Sequence, residues 1–149
     1  MLDFGIPPPP VAHREGPLAA GPQCLVVLPP SWADFFEVRG PIRCEYEDRR
    51  AFRRVHCRGE AVLTVGDEHF RVYTKDLSRG GMSFLHHKQL FPLDRGTIWL
   101  SNNECAQLEV VCCTRLGDCC YACGSRAVDE ADRDALLKVL RAIVAAAPA

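Results

Sequence analysis

From Arg54 to Val128 short apolar runs, some alternating with polar residues, are separated by turn formers and read mostly as β. Ala61, Leu63 and Val65 alternate with Val62 and Thr64, and Phe70, Val72 and Thr74 alternate with His69, Arg71 and Tyr73. A period of two places each set on one face of a strand. Gly66-Asp67, between these two runs, fits a two-residue hairpin turn with glycine first. Met82 to Leu85 predicts a third strand, and Thr97 to Ser101 a fourth after the turn from Pro92 to Gly96. Leu108 to Arg115 and Cys119 to Val128 predict a second hairpin around Leu116-Gly117-Asp118. About six short strands with regularly spaced turns predict a mainly β domain, a sandwich or a barrel.

After Val128 the period changes. Leu136, Leu137, Leu140, Ile143 and Val144 recur at helical spacing, Asp129 is a good cap, and Glu130 and Asp132 suit the first turn. The spacing predicts a helix over 130–146 that closes one face or mouth of the β structure. The other end of the chain differs in kind. Eight of the eleven prolines lie between Pro7 and Pro30, so 1–30 reads as a flexible Pro-rich leader. Within it, Cys24 to Leu28 is an apolar run able to dock as an edge strand. Residues 31–48 read as a short helix and linker, Ser31 capping it and Trp32, Phe35 and Phe36 on one face, to pack against the domain or to form a docking surface for a partner. The β domain with its helix then occupies 49–149.

Composition narrows the function. The formal net charge is −1, so no global field collects nucleic acid, and an anion site must come from local clustering. No stretch approaches the ~20 apolar residues of a membrane span, and Met1 to Pro10 lacks the basic region of a signal peptide. The expected compartment is the cytoplasm, where the nine cysteines stay reduced.

Local clustering is present. Arg43, Arg49, Arg50, Arg53, Arg54 and Arg58 stand against Glu45, Glu47 and Asp48, a balance of six minus three, or +3. Every cation there is arginine. Guanidinium forks bind phosphate and the guanine O6/N7 edge bidentately and stack on flat rings, which lysine does less well.

A second cluster, Asp76-Leu77-Ser78-Arg79-Gly80-Gly81, follows a strand. Asp76 and Ser78, two apart, share one side of an extended chain. The carboxylate can accept from a guanine N1–H and N2–H edge or hold an arginine in place. Gly80 and Gly81 permit a tight turn with positive φ and close backbone approach to a ligand. Hairpin register joins the two clusters. About Gly66-Asp67, Asp76 faces Cys57, Ser78 faces Val55, and Arg54 lies beside Arg79.

Arg50-x-x-x-Arg54 followed by Asp76-x-Ser78-x-x-Gly81, with Val55 and Met82, resembles the paired signature of PilZ domains. The resemblance runs from about Asp48 to the end. It implies a six-stranded antiparallel β-barrel with a C-terminal α-helix, and a receptor for the bacterial second messenger cyclic di-GMP. It further implies that Arg50 and Arg54 grip phosphates and guanine faces from a flexible entry loop, while Asp76 and Ser78 hold a guanine and the loop arginines. Gly81 keeps the turn tight. Arg49, preceding the first motif arginine, implies two intercalated ligand molecules. Arg53, Arg79, Gly80 and Arg115 are peripheral candidates. The ligand would order the loop and so act on a protein effector. Two features depart from the family: the last strand keeps Gly124 without a following aromatic, and the 48-residue leader has no counterpart.

Three other readings compete with this one. A PilZ-like barrel used only for protein contact would have lost the signature that is intact here. A nucleic-acid binder lacks interleaved aromatics and overall basic charge. A zinc or redox site among Cys112, Cys113, Cys119, Cys120 and Cys123 is opposed by strand geometry, which sends Cys120 and Cys123 to opposite faces. No resident metal or cofactor is expected. His56, His69, His86 and His87 have no nucleophile partner, and His86-His87 reads as an exposed turn, so no catalytic residue is assigned.

Overall fold

The computed structural model describes residues 23–42, 54–100 and 104–146. A two-residue strand, β1 (Gly40–Pro41), precedes six longer ones: β2 (Arg54–Val65), β3 (Glu68–Ser78), β4 (Gly81–His86), β5 (Arg95–Trp99), β6 (Cys105–Gly117) and β7 (Cys120–Ala127). Neighbours are antiparallel in the order β1-β2-β3-β4-β7-β6-β5. Val62, Leu63 and Thr64 of β2 also pair with Trp99, Ile98 and Thr97 of β5, joining the ends of the six-strand run. Joined ends leave fewer unpaired N–H and C=O groups to recruit another chain. The β2–β3 hairpin turns at Gly66, whose φ of 60° is open to glycine at no steric cost.

The inward residues of the alternating runs form the main core, among them Val55, Leu63, Val72, Leu77, Phe84, Ile98, Leu108 and Cys123. The helix α1 (Glu130–Ala146) lays Leu136, Val139, Leu140 and Ile143 on it. Its first turn is closed reciprocally: the Asp132 N–H donates to Asp129 Oδ1 at 3.1 Å, and the Asp129 N–H to Asp132 Oδ2 at 3.2 Å. Asp132 Oδ1 also accepts from the Gln107 N–H at 2.8 Å, fixing the helix to β6.

A second, smaller core lies on the outer face. Tyr73, Leu85, Cys120 and Ala122 project outward and are covered by residues 24–38, here called the strap. Val26 and Phe35 are buried there, with Cys24, Leu28, Trp32 and Phe36 around them. Trp32 stacks on Phe35 at 5.6 Å, and Phe36 meets Tyr73 edge-on at 4.8 Å. The aromatics thus pack onto the domain, the first of the two readings that their spacing allows. Two details differ from the sequence reading. Cys24 to Leu28 docks through a bond from the Val27 N–H to the Cys119 carbonyl at 3.0 Å, not as an edge strand. The expected helix is two single 3-10 turns, Pro30–Trp32 and Phe35–Glu37, and Ser31 sits inside the first instead of capping it. A segment this short gains too little from helical bonds to outweigh nucleation, so the aromatic contacts set its path.

The exposed turn expected at His86-His87 is a further correction. His86 ends β4 and is wholly buried, its ring 4.8 Å from Phe70 and 5.0 Å from His87. The Lys88 N–H donates to its Nδ1 at 2.9 Å. The ring proton therefore sits on Nε2, which has no acceptor among the described residues. Burial, aided by His87 and Lys88, pushes the His86 pKa down to about 4.

Candidate functional site

Val72 and Leu77 both face the main core, yet they are five residues apart. Strict alternation would send them to opposite faces. The strand resolves the conflict by slipping: β3 shifts against β4 between Thr74 and Asp76, and against β2 between His56 and Gly59. Lys75 is the extra residue relative to β4. From Val65–Glu68 back to Gly59–Thr74 the register is the one the turn predicts. Beyond the slip it changes by one, so Asp76 faces His56 instead of Cys57, and Ser78 faces Arg54 instead of Val55. The sequence carried a signal for this. Gly59 is an isolated glycine within a strand, where a bulge is common.

The slip gathers charge on the outer face. Arg54, His56 and Arg58 alternate outward with Val55 and Cys57 inward, and they converge on Asp76. That side chain is 7% exposed. Arg54 Nη2 is 3.7 Å from its Oδ2, Arg58 Nη2 is 3.6 Å from its Oδ1, and the Lys75 ammonium donates to Oδ2 at 2.9 Å. His56 Nδ1 lies 3.1 Å from Oδ1 and also 3.1 Å from Arg58 Nη2. One nitrogen serves one of these partners at a time: protonated, it donates to Asp76, and unprotonated, it accepts from Arg58. Burial pushes the Asp76 carboxyl up, but the Lys75 bond and the Lys75 and Arg58 charges outweigh it and hold the group below the usual carboxylate range.

Ser78 and Gly81 build the adjoining turn. The Ser78 hydroxyl donates to the Gly81 carbonyl at 3.1 Å and accepts from the Gly81 N–H at 3.2 Å. Neither Gly80 nor Gly81 has the positive φ expected of this turn. Gly81 is needed for closeness, because β4 passes so near β7 that a β-carbon would meet the Ser125 carbonyl oxygen. Arg54, Asp76, Ser78, Gly81, Met82, Ser83, Gly124 and Ser125 line a cleft of about 140 Å³. The Ser125 hydroxyl donates to the Met82 carbonyl at 2.7 Å, and the Ser83 hydroxyl accepts from the Asp76 N–H at 3.2 Å.

The structure therefore brings Arg54, Asp76, Ser78 and Gly81 together. Gly80 holds the end of the turn by accepting from the Ala127 N–H at 2.9 Å, and Arg79 occupies its exposed tip outside the cleft lining. Arg115 is not brought to the cleft. It lies at the β6–β7 hairpin end, bonded to Asp118. Arg49, Arg50 and Arg53 lie outside the described residues. His56, Arg58, Lys75, Ser83, Gly124 and Ser125 were not assigned from sequence, because their places depend on the slip and on β7 lying beside β4. Cys120 and Cys123 are both buried, but in the outer and main cores respectively. Among the described residues no three His, Cys, Asp or Glu side chains are grouped to hold a metal. No helix there is long and apolar enough to cross a membrane.

No curated protein sequence matches the chain. Among solved structures it is similar to that titled "Structure of Bacillus subtilis Inhibitor of motility (MotI/DgrA)", with a TM-score of 0.50 and 17% identity. The match covers 68% of this chain and 54% of that one, so this chain corresponds to about half of that protein. At such identity the likeness is one of fold. The sequence family described as PilZ domain matches residues 48–142, well over half of the chain and every strand from β2 to β7. The six antiparallel strands, the C-terminal helix and this match together establish that the chain belongs to the PilZ domain family.

Proposed function

We propose that this PilZ domain is a receptor for cyclic di-GMP, bound over the cleft between β2, β3, β4 and β7. One observation carries the reading. Beside the cleft, Asp76 gathers Arg54, Arg58 and Lys75 within 4 Å, so that cations outnumber carboxylates there even with Asp34 near Arg58 included. A surplus of this kind, beside a serine turn and glycine backbone, suits an anion with polar edges.

The contacts also divide the work. Asp76 is already engaged by four side chains, so its role is to hold arginines rather than to read a guanine edge. Arg54 makes only a loose 3.7 Å contact with it and is a third exposed, which leaves most of its fork for a phosphate or a guanine. The cleft is smaller than the ~300–1,000 Å³ of most ligand pockets, so it seats one part of the ligand. The rest is to be gripped by Arg49 and Arg50. Their segment, 43–53, has its ends pinned together by the bond from the Ile42 N–H to the Arg54 carbonyl at 3.0 Å. Arg50 is four residues from Arg54, within about 14 Å at full extension. Ligand would order this loop over the cleft, and a protein effector would read the change.

Isothermal titration calorimetry with cyclic di-GMP, with GTP as control, tests the reading. The expected result is selective binding that Arg50→Ala or Arg54→Ala each weaken by about ten- to a hundredfold. Two ligands per chain would fit the part given to Arg49, and one would remove it. Absence of binding, or unchanged affinity in both variants, would leave the domain as a module for protein contact.

A further inference from the structure

Arg58 was not part of the arginine signature, yet it makes more contacts at the site than Arg54 does. Its side chain is 10% exposed. Nε donates to the Lys75 carbonyl at 3.0 Å, so it holds the very residue whose insertion turns Asp76 outward. Nη2 reaches Asp76 Oδ1 at 3.6 Å and His56 Nδ1 at 3.1 Å. Nη1 donates to the Phe35 carbonyl at 3.3 Å, and the guanidinium lies 4.3 Å from the centre of the Phe35 ring. A guanidinium over an aromatic face is attracted by the ring quadrupole, and more strongly when desolvated, as here. Phe35 is in turn 1% exposed, locked by Trp32, Phe36 and Tyr73.

We propose that Arg58 is the positioning residue of the ligand site and that Phe35 of the strap sets its pose, so that residues 24–38 form part of the receptor. Arg58 does not line the cleft. It acts through Asp76 and through the Lys75 carbonyl, both of which fix the direction from which Arg54 is held. The strap supplies what the strands lack: a flat platform below the guanidinium and a carbonyl at its edge. Because coupling of this kind is reciprocal, ligand held by Arg54 also steadies the strap, through Asp76 and Arg58. The ligand part of this proposal rests on the cyclic di-GMP reading; the coupling of Phe35 and Arg58 to Asp76 does not.

Two measurements on the full chain separate these parts. The first follows the Asp76 side-chain carboxyl by carbon-13 NMR through an acid titration without ligand, in wild type, Arg58→Lys and Phe35→Leu. Lysine keeps the charge and loses the fork; leucine keeps an apolar filling and loses the ring face. Both variants are expected to move the Asp76 midpoint up towards the ordinary carboxylate range. The second is calorimetry with cyclic di-GMP, where each is expected to weaken binding about tenfold, because loss of the guanidinium fork or of its ring platform lets Asp76 shift. Circular dichroism confirms that the strands are intact, and Phe35→Leu alone decides the matter if Arg58→Lys does not fold. If Phe35→Leu lowers the melting temperature while leaving the Asp76 titration and the affinity unchanged, Phe35 is only a core residue and the proposal is overturned. If wild type binds no cyclic di-GMP, the ligand reading fails, and the ligand-free titration still upholds or overturns the coupling.

Discussion

A β-carbon added at Gly81 would lie 2.1 Å from the Ser125 carbonyl oxygen and 2.9 Å from the Arg126 Cα. Both are backbone atoms of β7, which cannot rotate away as a side chain could. Gly81→Ala must therefore push β4 from β7 at the floor of the cleft, and about 3 kcal/mol of stability is expected to be lost. Urea denaturation measures this, and a loss below about 0.5 kcal/mol would contradict the close approach. His86 gives a second residue-scale expectation. Its folded pKa is pushed down to about 4, so the folded chain keeps the ring neutral while an unfolded chain protonates it near 6.5. The contribution is fully present above about 6.5 and is lost as the pH falls towards about 4, at most about 3 kcal/mol in all. Thermal melts from pH 7 to 4 should show the decline, and His86→Leu should flatten it. An equal decline in that variant would place the acid sensitivity elsewhere.

The elements themselves were largely legible in the sequence. Alternating runs located two of the six long strands and short apolar runs between turns the other four, Gly66 marked the hairpin, and the change of period with the Asp129 cap located α1. These signals are local, carried by neighbouring residues. The slip in β3 is not local. It arises because Val72 and Leu77 must both reach one core, a demand visible only once the core is assembled. For the same reason Asp76 and Ser78 were placed on β3 near Arg54, while their partners across the hairpin were misassigned by one position. Gly81 was read for its freedom in φ, whereas its real constraint is the β7 backbone, some forty residues further along the chain. Arg58 was counted in the arginine cluster but given no role at the site, because the strap that frames it lies in a distant segment read as leader and linker. His86 was read as exposed because a histidine pair before a loop carries no burial signal of its own.

On the scale of the whole molecule, the six strands enclose one core and the strap covers another. The main core draws its members from residues 55–143 and is complete without the strap. The outer core depends on Val26 and Phe35 lying over Leu85 and Cys120. Two cores on opposite faces of the same strands need not open together, because local opening follows the contacts a segment makes. The strap is held by few buried side chains, by the Val27-to-Cys119 backbone bond and by the Arg58 bond to the Phe35 carbonyl, whereas β4, β6 and β7 are paired on both sides. Native-state hydrogen exchange with Phe35→Ala separates the two. The Val27 amide, which reports strap docking, should lose most of its protection. Amides of Phe84 and Leu108 should keep the protection set by global unfolding, reduced only by the stability that the strap lends to the whole. If Phe35→Ala instead lowers all of these amides by the same amount, strap and strands open as a single unit. The strap would then be unable to move independently of the fold, and a ligand signal passing along it from Arg58 would have to act through global stability.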